Sequence, residues 1–332
     1  MADIDWPSFV KRSLAGELIS RDEARAILTL PDGEVPKALE AAFEVRKVRW
    51  GKRVKICMLQ NARSGLCPED CHYCSQSSLS NAAIEKYPLK SQEELLEGAR
   101  AAAESGATRY CMVTSGRGPS DDDIEHFCQA TRDIKKRHSL EICVCLGLLN
   151  EEQARKLKAA GVGWVNHNLN TSERFYPEIC ASHTYQDRID TVNNVRKAGL
   201  MTCSGGIVGM GESDEDILDM LYALRELKVD SLPINFLHPI EGTPMEGFNH
   251  LTPMKCLKVL CVARFLNPKS DLRAAGGREV NLREIQAQAL YPANSIFIEG
   301  YLTTPGQGQP ADVAMIERMG FEIEGLETRA AV

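Results

Sequence analysis

A chain of 332 residues, 43% hydrophobic and 26% charged, has the balance of a globular protein and the length to bury a large core. Its net charge of −7 gives no basic surface for a polyanion, which sets aside DNA and RNA as partners. No apolar run approaches the roughly 18 residues of a membrane-spanning helix. The acidic start Met1-Ala2-Asp3-Ile4-Asp5-Trp6 lacks a secretory pattern, so a cytoplasmic protein is expected. Thiols stay reduced there, and twelve cysteines then point to metal or redox chemistry rather than to a disulfide framework.

Residues 1–50 read as a helical extension. Ser20-Arg21-Asp22-Glu23 is a capping box ahead of an apolar periodic stretch. Asp32-Gly33 breaks that helix, and Pro36 opens another. From 51 to 320, short apolar runs at 54–59, 108–114, 140–146, 163–169, 200–207, 231–237, 272–275 and 294–299 read as buried strands. Helices lie between them, capped by Ser91, Asn150 and Ser213, with Thr252-Pro253 opening another. The basic run Lys135-Lys136-Arg137-His138 closes one helix, where it suits the dipole. Residues 75–90 are irregular, 304–310 form a loop, and 321–332 a C-terminal tail. Eight strand–helix units predict a (β/α)8 TIM-type barrel of the α/β class, with an open doubly wound sheet as the alternative and 272–275 as the weakest strand. A barrel would place the active site at the C-terminal strand ends.

The loop after the first strand carries Cys67-Pro68-Glu69-Asp70-Cys71-His72-Tyr73-Cys74. Three thiolates on so short a loop can hold one [4Fe–4S] cage and leave one iron without a protein ligand, an open position for a substrate or cofactor. Structural zinc would want a fourth ligand, and His72, beside Cys71, is poorly placed to join the same cage. An electron-transfer centre would normally show a fourth cysteine. Cys111, Cys143 and Cys203 lie on the second, third and fifth strands and Arg273 on the seventh. Inward-pointing side chains on different barrel strands converge on one axis. Cys145 shares a face with Cys143, so it either packs there or offers one more inward ligand. Cys57, Cys128, Cys180, Cys256 and Cys261 read as core packing. Asn166, Asn168 and Asn170 alternate along the fourth strand, so three amides face one way and need polar partners.

The string Cys67 to Cys74 resembles the signature of the radical S-adenosylmethionine superfamily, and its continuation through Ser75-Gln76-Ser77 is similar to the biotin synthase family. The likeness runs from about residue 50 to 305. It includes Tyr110-Cys111-Met112, Asn166 to Ser172, Thr202 to Glu212, Pro233-Ile234-Asn235, Gly276 to Glu279, Ala293 to Phe297 and Leu302 to Pro305. The resemblance implies that Cys67, Cys71 and Cys74 hold a [4Fe–4S] cluster whose open iron binds S-adenosyl-L-methionine. One electron then splits the sulfonium to methionine and a 5′-deoxyadenosyl radical. It implies a [2Fe–2S] cluster on Cys111, Cys143, Cys203 and Arg273 as the sulfur donor, and dethiobiotin as the substrate converted to biotin.

The same likeness assigns Tyr73, Asn168, Asn170, Arg188, Gly209, Gly211 and Glu212 to the cofactor, and Asn166, Asn235 and Thr303 to dethiobiotin. Asn170 stands where many relatives carry aspartate, which keeps an acceptor and loses the charge. A flavodoxin- or ferredoxin-type electron donor and a homodimer are implied as well. The alternatives are another barrel enzyme of the superfamily, of the hydrogenase maturase or mutase type, and an iron–sulfur carrier without catalysis.

Overall fold

The computed structural model describes residues 4–325. Three helices come first: α1 (Trp6–Ala15), α2 (Arg21–Leu28) and α3 (Val35–Trp50). The Ser20 capping box is formed, and a short turn at Asp32–Glu34 separates α2 from α3.

The barrel then runs β1 (Arg53–Arg63), α4 (Gln92–Glu104), β2 (Arg109–Thr114), α5 (Asp121–Arg137), β3 (Glu141–Cys145), α6 (Glu151–Ala160) and β4 (Trp164–Asn166). It continues through α7 (Tyr185–Lys197), β5 (Met201–Cys203), β6 (Gly206–Val208), α8 (Asp214–Glu226), β7 (Ser231–Phe236), α9 (Pro253–Leu266), β8 (Asp271–Ala274), α10 (Arg278–Leu282), β9 (Ser295–Phe297) and α11 (Gln309–Arg318). Every neighbouring pair is parallel, and β9 pairs back onto β1, which closes the sheet. β5 and β6 share one position, so the barrel has the eight strand positions expected.

The strand read at 200–207 is broken because backbone must pass backbone. A Cβ on Gly205 would lie 1.8 Å from the Pro233 carbonyl oxygen, and one on Gly206 would meet Met220 Sδ at 2.0 Å. β5 therefore pairs with β4, and β6 pairs with β7. The strand read at 163–169 is regular only to Asn166, and Asn170 adopts a positive φ of 72°. The caps at Ser91, Asn150 and Ser213 all form, and Ser120 and Thr184 cap α5 and α7 in the same way.

α9 explains the helical extension. Every residue from Cys256 to Leu266 is buried, so this helix is covered on both sides: β8 on one, and α1, α2 and α3 on the other. At the base, β10 (Glu322–Ile323) pairs with the start of β1. Of the tail expected at 321–332, residues 326–332 lie outside the described residues, as do Met1, Ala2 and Asp3 of the N-terminus. No helix among the described residues is long and apolar enough to cross a membrane, and the twelve cysteines are free thiols.

Candidate metal centre

The C-terminal ends of the strands surround one cavity of about 390 Å³. Its lining includes the loop cysteines Cys67, Cys71 and Cys74 and, from the strands, Cys111, Cys143, Cys145, Cys203 and Arg273.

The cysteine loop is fixed by its own acidic pair. Asp70 accepts from the Ala181 and Ser182 amides at 3.1 and 3.0 Å. Burial opposes ionisation of Asp70, but those amides outweigh it and hold the carboxyl far below its usual range. Glu69 accepts from the Ser182 hydroxyl at 2.7 Å and pairs with His183. The His72 amide donates to Ile179 O at 2.9 Å. On the other flank, Ser75 Oγ and Thr303 Oγ1 lie 2.7 Å apart. Burial pushes the Cys67 thiol up and Cys74 up to about 11. Cys71 is raised by its contact with Cys180 and then by burial. A metal must therefore displace protons to bind here.

Deeper in the barrel, register sets Cys111 beside Cys143 and Pro233 beside Arg273. Cys143 holds Cys111 below the usual thiol range, with Arg273 and Arg109 adding to the effect, and the same contact pushes Cys143 up. Arg273 is almost wholly buried. Burial alone would favour losing its proton, but Cys57, Cys203 and Asp271 outweigh it and keep the guanidinium charged. Its Nε donates to Ser295 Oγ at 3.0 Å and its Nη2 to Cys57 Sγ at 3.1 Å. Nη1 is the remaining nitrogen, 4.0 Å from Cys203 Sγ.

The three asparagines all line the cavity, and each finds a polar partner. Asn166 Nδ2 donates to Asn168 Oδ1 at 3.0 Å, which also accepts from the Gly205 amide at 3.1 Å. Asn170 Nδ2 donates to Tyr73 Oη at 2.6 Å. Tyr73 is pushed up by burial, so it stays a neutral phenol. Arg188, near the start of α7, is 8% exposed. It donates to Tyr176 Oη, to Asn168 O at 2.9 Å and to His183 Nε2 at 2.7 Å. Asn235 is held through Gly206 O and the Gly276 amide and faces the cavity, as does Thr303.

Gly209, Gly211 and Glu212 are not brought to this cavity. Glu212 closes a turn on itself, accepting from the Gly209 and Met210 amides at 2.7 Å each.

Three residues escaped the sequence reading. His167 lines the cavity as a buried imidazole with no hydrogen-bond partner on Nε2, and burial drives its pKa far down. Cys57 is not simple core filler: it lies against Arg273, a placement signalled by its two-residue spacing from inward-facing Leu59. Cys180 is in contact with Cys71, which no local pattern announced. Cys128, Cys256 and Cys261 are buried helix residues as expected.

The donor set fits the groups implied. Three thiols converge on one mouth, and three more with a buried arginine lie on the strands below it. The Radical SAM superfamily model matches residues 63–224, and the Biotin and Thiamin Synthesis associated domain matches 233–322. A biotin synthase of Halalkalibacterium halodurans is 50% identical over 99% of this chain and 98% of its own length. A biotin synthase of Bacillus subtilis is 49% identical over 98% and 97%. Among solved structures, methylornithine synthase superposes with a TM-score of 0.84 at 20% identity, covering 97% of this chain and 99% of its own. The [FeFe]-hydrogenase maturase of Carboxydothermus hydrogenoformans gives 0.80 at 17%, covering 96% and 79%. At that identity the two structures speak for the fold alone.

Proposed function

The chain belongs to the biotin synthase family, and from that premise we propose which of its residues carry the family's reaction. It is a radical S-adenosyl-L-methionine enzyme that inserts sulfur into dethiobiotin to give biotin. When bound, a [4Fe–4S] cluster and S-adenosyl-L-methionine supply the radical, and a [2Fe–2S] cluster supplies the sulfur. The observation that carries the residue assignment is the shared cavity, lined at its mouth by the cysteine loop and below it by the strand thiols and Arg273.

Cys67, Cys71 and Cys74 would hold the first cluster, and Cys111, Cys143, Cys203 and Arg273 the second. Ser295 and Cys57 engage two of the three guanidinium nitrogens, so Nη1, with only its 4.0 Å contact to Cys203 Sγ, is the one that would face a metal. Arg188 suits the carboxylate of the methionine moiety, since a guanidinium is a bidentate partner for carboxylate. Tyr73 and Asn170, hydrogen-bonded to each other, present with Asn168 a polar wall suited to ribose hydroxyls. Asn166, Asn235 and Thr303 line the remaining polar rim and would orient dethiobiotin between the two centres. The barrel walls keep water and stray hydrogen donors from that space. Gly209, Gly211 and Glu212 act at one remove, by shaping the turn after β6.

We further propose a division into an extension at 1–50, a barrel body at 51–320 and a tail at 321–332. A flavodoxin- or ferredoxin-type donor, a homodimer and a cytoplasmic location complete the reading, supported by family membership and by the free thiols. The test is anaerobic incubation of the reconstituted chain with dethiobiotin, S-adenosyl-L-methionine and reductant. Biotin detected by mass is the expected result. Formation of 5′-deoxyadenosine without biotin would remove the sulfur-insertion role, and absence of both would remove the radical chemistry.

A further inference from the structure

Cys71 is flanked by donors that the cluster does not use. Its sulfur lies 3.7 Å from that of Cys180, and Cys180 Sγ lies 3.3 Å from His183 Nδ1. The three donor atoms all fall within 4.8 Å of one another, and all three residues are buried. A tetrahedral zinc with bonds of about 2.3 Å to sulfur and about 2.0–2.1 Å to nitrogen sets its ligands apart by roughly 3.8 Å for two sulfurs and roughly 3.6 Å for sulfur and nitrogen. Two edges of the triangle, 3.7 Å between the sulfurs and 3.3 Å from Cys180 Sγ to His183 Nδ1, are close to those of such a tetrahedron.

Glu69 is hydrogen-bonded to Nδ1 of His183, the nitrogen that takes the metal, and that hydrogen bond is given up on binding. Cys180 does not line the large cavity, whereas Cys71 and His183 do. Cys180 therefore reaches Cys71 from outside the cavity that Cys67 and Cys74 line. The zinc reading of the loop alone fails for want of ligands, and the segment 176–184 brings them from a distant part of the sequence.

We propose that in the cluster-free chain Cys71, Cys180 and His183 bind one divalent d-block cation such as Zn²⁺, in competition with assembly of the [4Fe–4S] cluster. Cys71 and then His183 hold the Cys180 thiol down at about 4, so binding releases one thiol proton, that of Cys71, and the ring proton moves from Nδ1 to Nε2 as the metal takes Nδ1. The hydrogen bond from Arg188 Nη2 to Nε2 is then given up, while Arg188 keeps Tyr176 and Asn168. Because Cys71 serves both sites, the two occupancies exclude each other. That competition rests on the assignment of Cys71 to the cluster; the cation site itself does not.

The test uses the full-length chain, freed of metal and held anaerobically with a non-thiol reductant. Titration with Co²⁺ should give one equivalent bound, with intense tetrahedral d–d bands and sulfur-to-cobalt charge transfer, displaced by Zn²⁺. Cys180→Ala and His183→Asn should each weaken binding at least tenfold, and Cys67→Ser should leave it unchanged. Co²⁺ binding that survives Cys180→Ala but is lost in Cys67→Ser or Cys74→Ser would overturn the proposal. In a second arm, one equivalent of Zn²⁺ should slow iron–sulfide reconstitution of the wild type, read by iron content and cluster absorption, and leave Cys180→Ala unaffected. Equal slowing of both would also overturn it. Failure to assemble any cluster with zinc absent counts instead against the assignment of Cys67, Cys71 and Cys74.

Discussion

Gly205→Ala tests whether the break between β5 and β6 is a packing requirement. The added Cβ would sit 1.8 Å from Pro233 O and 2.7 Å from its carbonyl carbon. Both neighbours are backbone, so no side chain can rotate away, and the strands must separate by about 1 Å or more. Overpacking with some freedom to relax costs typically 1–3 kcal/mol, and a rigid backbone contact places this site at about 3 kcal/mol or above. The Gly205 amide also holds Asn168 Oδ1, and Cys203 lies two residues upstream. A shifted strand therefore moves one proposed ligand of the auxiliary cluster and one wall of the cofactor site together. With a urea m-value of roughly 3 kcal/mol per molar, the unfolding midpoint of the metal-free chain should fall by about 1 M. Iron and sulfide per chain after reconstitution should fall below the wild-type level. Gly33→Ala is the control: nothing lies within 4 Å of its added Cβ, and its midpoint should stay within about 0.5 kcal/mol of wild type. A Gly205→Ala chain with an unchanged midpoint and a full complement of iron would refute the reasoning.

His167 is held neutral in the folded chain, with its pKa far below the usual value. The unfolded chain therefore takes up a proton near pH 6.5 that the folded chain refuses, and stability falls as pH drops below that point, by up to about 1.4 kcal/mol per pH unit. Urea midpoints at pH 7.5 and 5.5 should differ less in His167→Gln than in wild type; an equal difference removes His167 as the cause. Thr303→Val deletes the 2.7 Å contact with Ser75, worth about 1 kcal/mol. It should raise KM for dethiobiotin roughly fivefold with kcat little changed, and steady-state kinetics showing the loss entirely in kcat would count against a binding role. Cys143→Ala should lose the auxiliary cluster, while Cys145→Ala, one inward position further along β3, should keep it. Iron and sulfide analysis with Mössbauer spectra decides, and a changed spectrum in Cys145→Ala would make that thiol a ligand.

What the sequence made legible followed from local rules. Capping boxes, apolar runs and the spacing from Cys67 to Cys74 are written in consecutive residues, and those features appear where expected save the shortened strand at 163–169 and the broken one at 200–207. The interruption at Ser204-Gly205 was hidden because it depends on the Pro233 carbonyl, a whole helix further along the chain and reached only when β7 is laid beside β5 and β6. The same holds for Cys180 and His183, which lie over 100 residues from Glu69 and Cys71. Cys57 was misjudged for another reason. A buried cysteine is ordinarily inert, and only the reach of Arg273 across the barrel turns this one into a polar partner. The glycine-rich string ending at Glu212 shows the converse: a motif carried from a family marks a needed backbone shape as readily as a contact.

The deep end of the barrel has a charge balance that bears on why an arginine stands among thiols. Arg109 and Arg273 are both buried and both held protonated. Asp271 lies 3.5 Å from one and 3.9 Å from the other, and Glu141 pairs with Arg109 at 2.9 Å. Arg109 also stacks on Trp164 at 3.6 Å. Asp271 is thus shared, and Arg273 has no close carboxylate of its own. A buried cation whose one carboxylate is shared and 3.9 Å away is incompletely compensated, so the site favours further negative charge. The adjoining thiols Cys111, Cys143 and Cys203 supply it only on losing their protons, which is what metal binding brings about. The arginine and the thiols are therefore complementary as a set, and a neutral replacement of Arg273 would weaken the site even where its nitrogen never touched a metal.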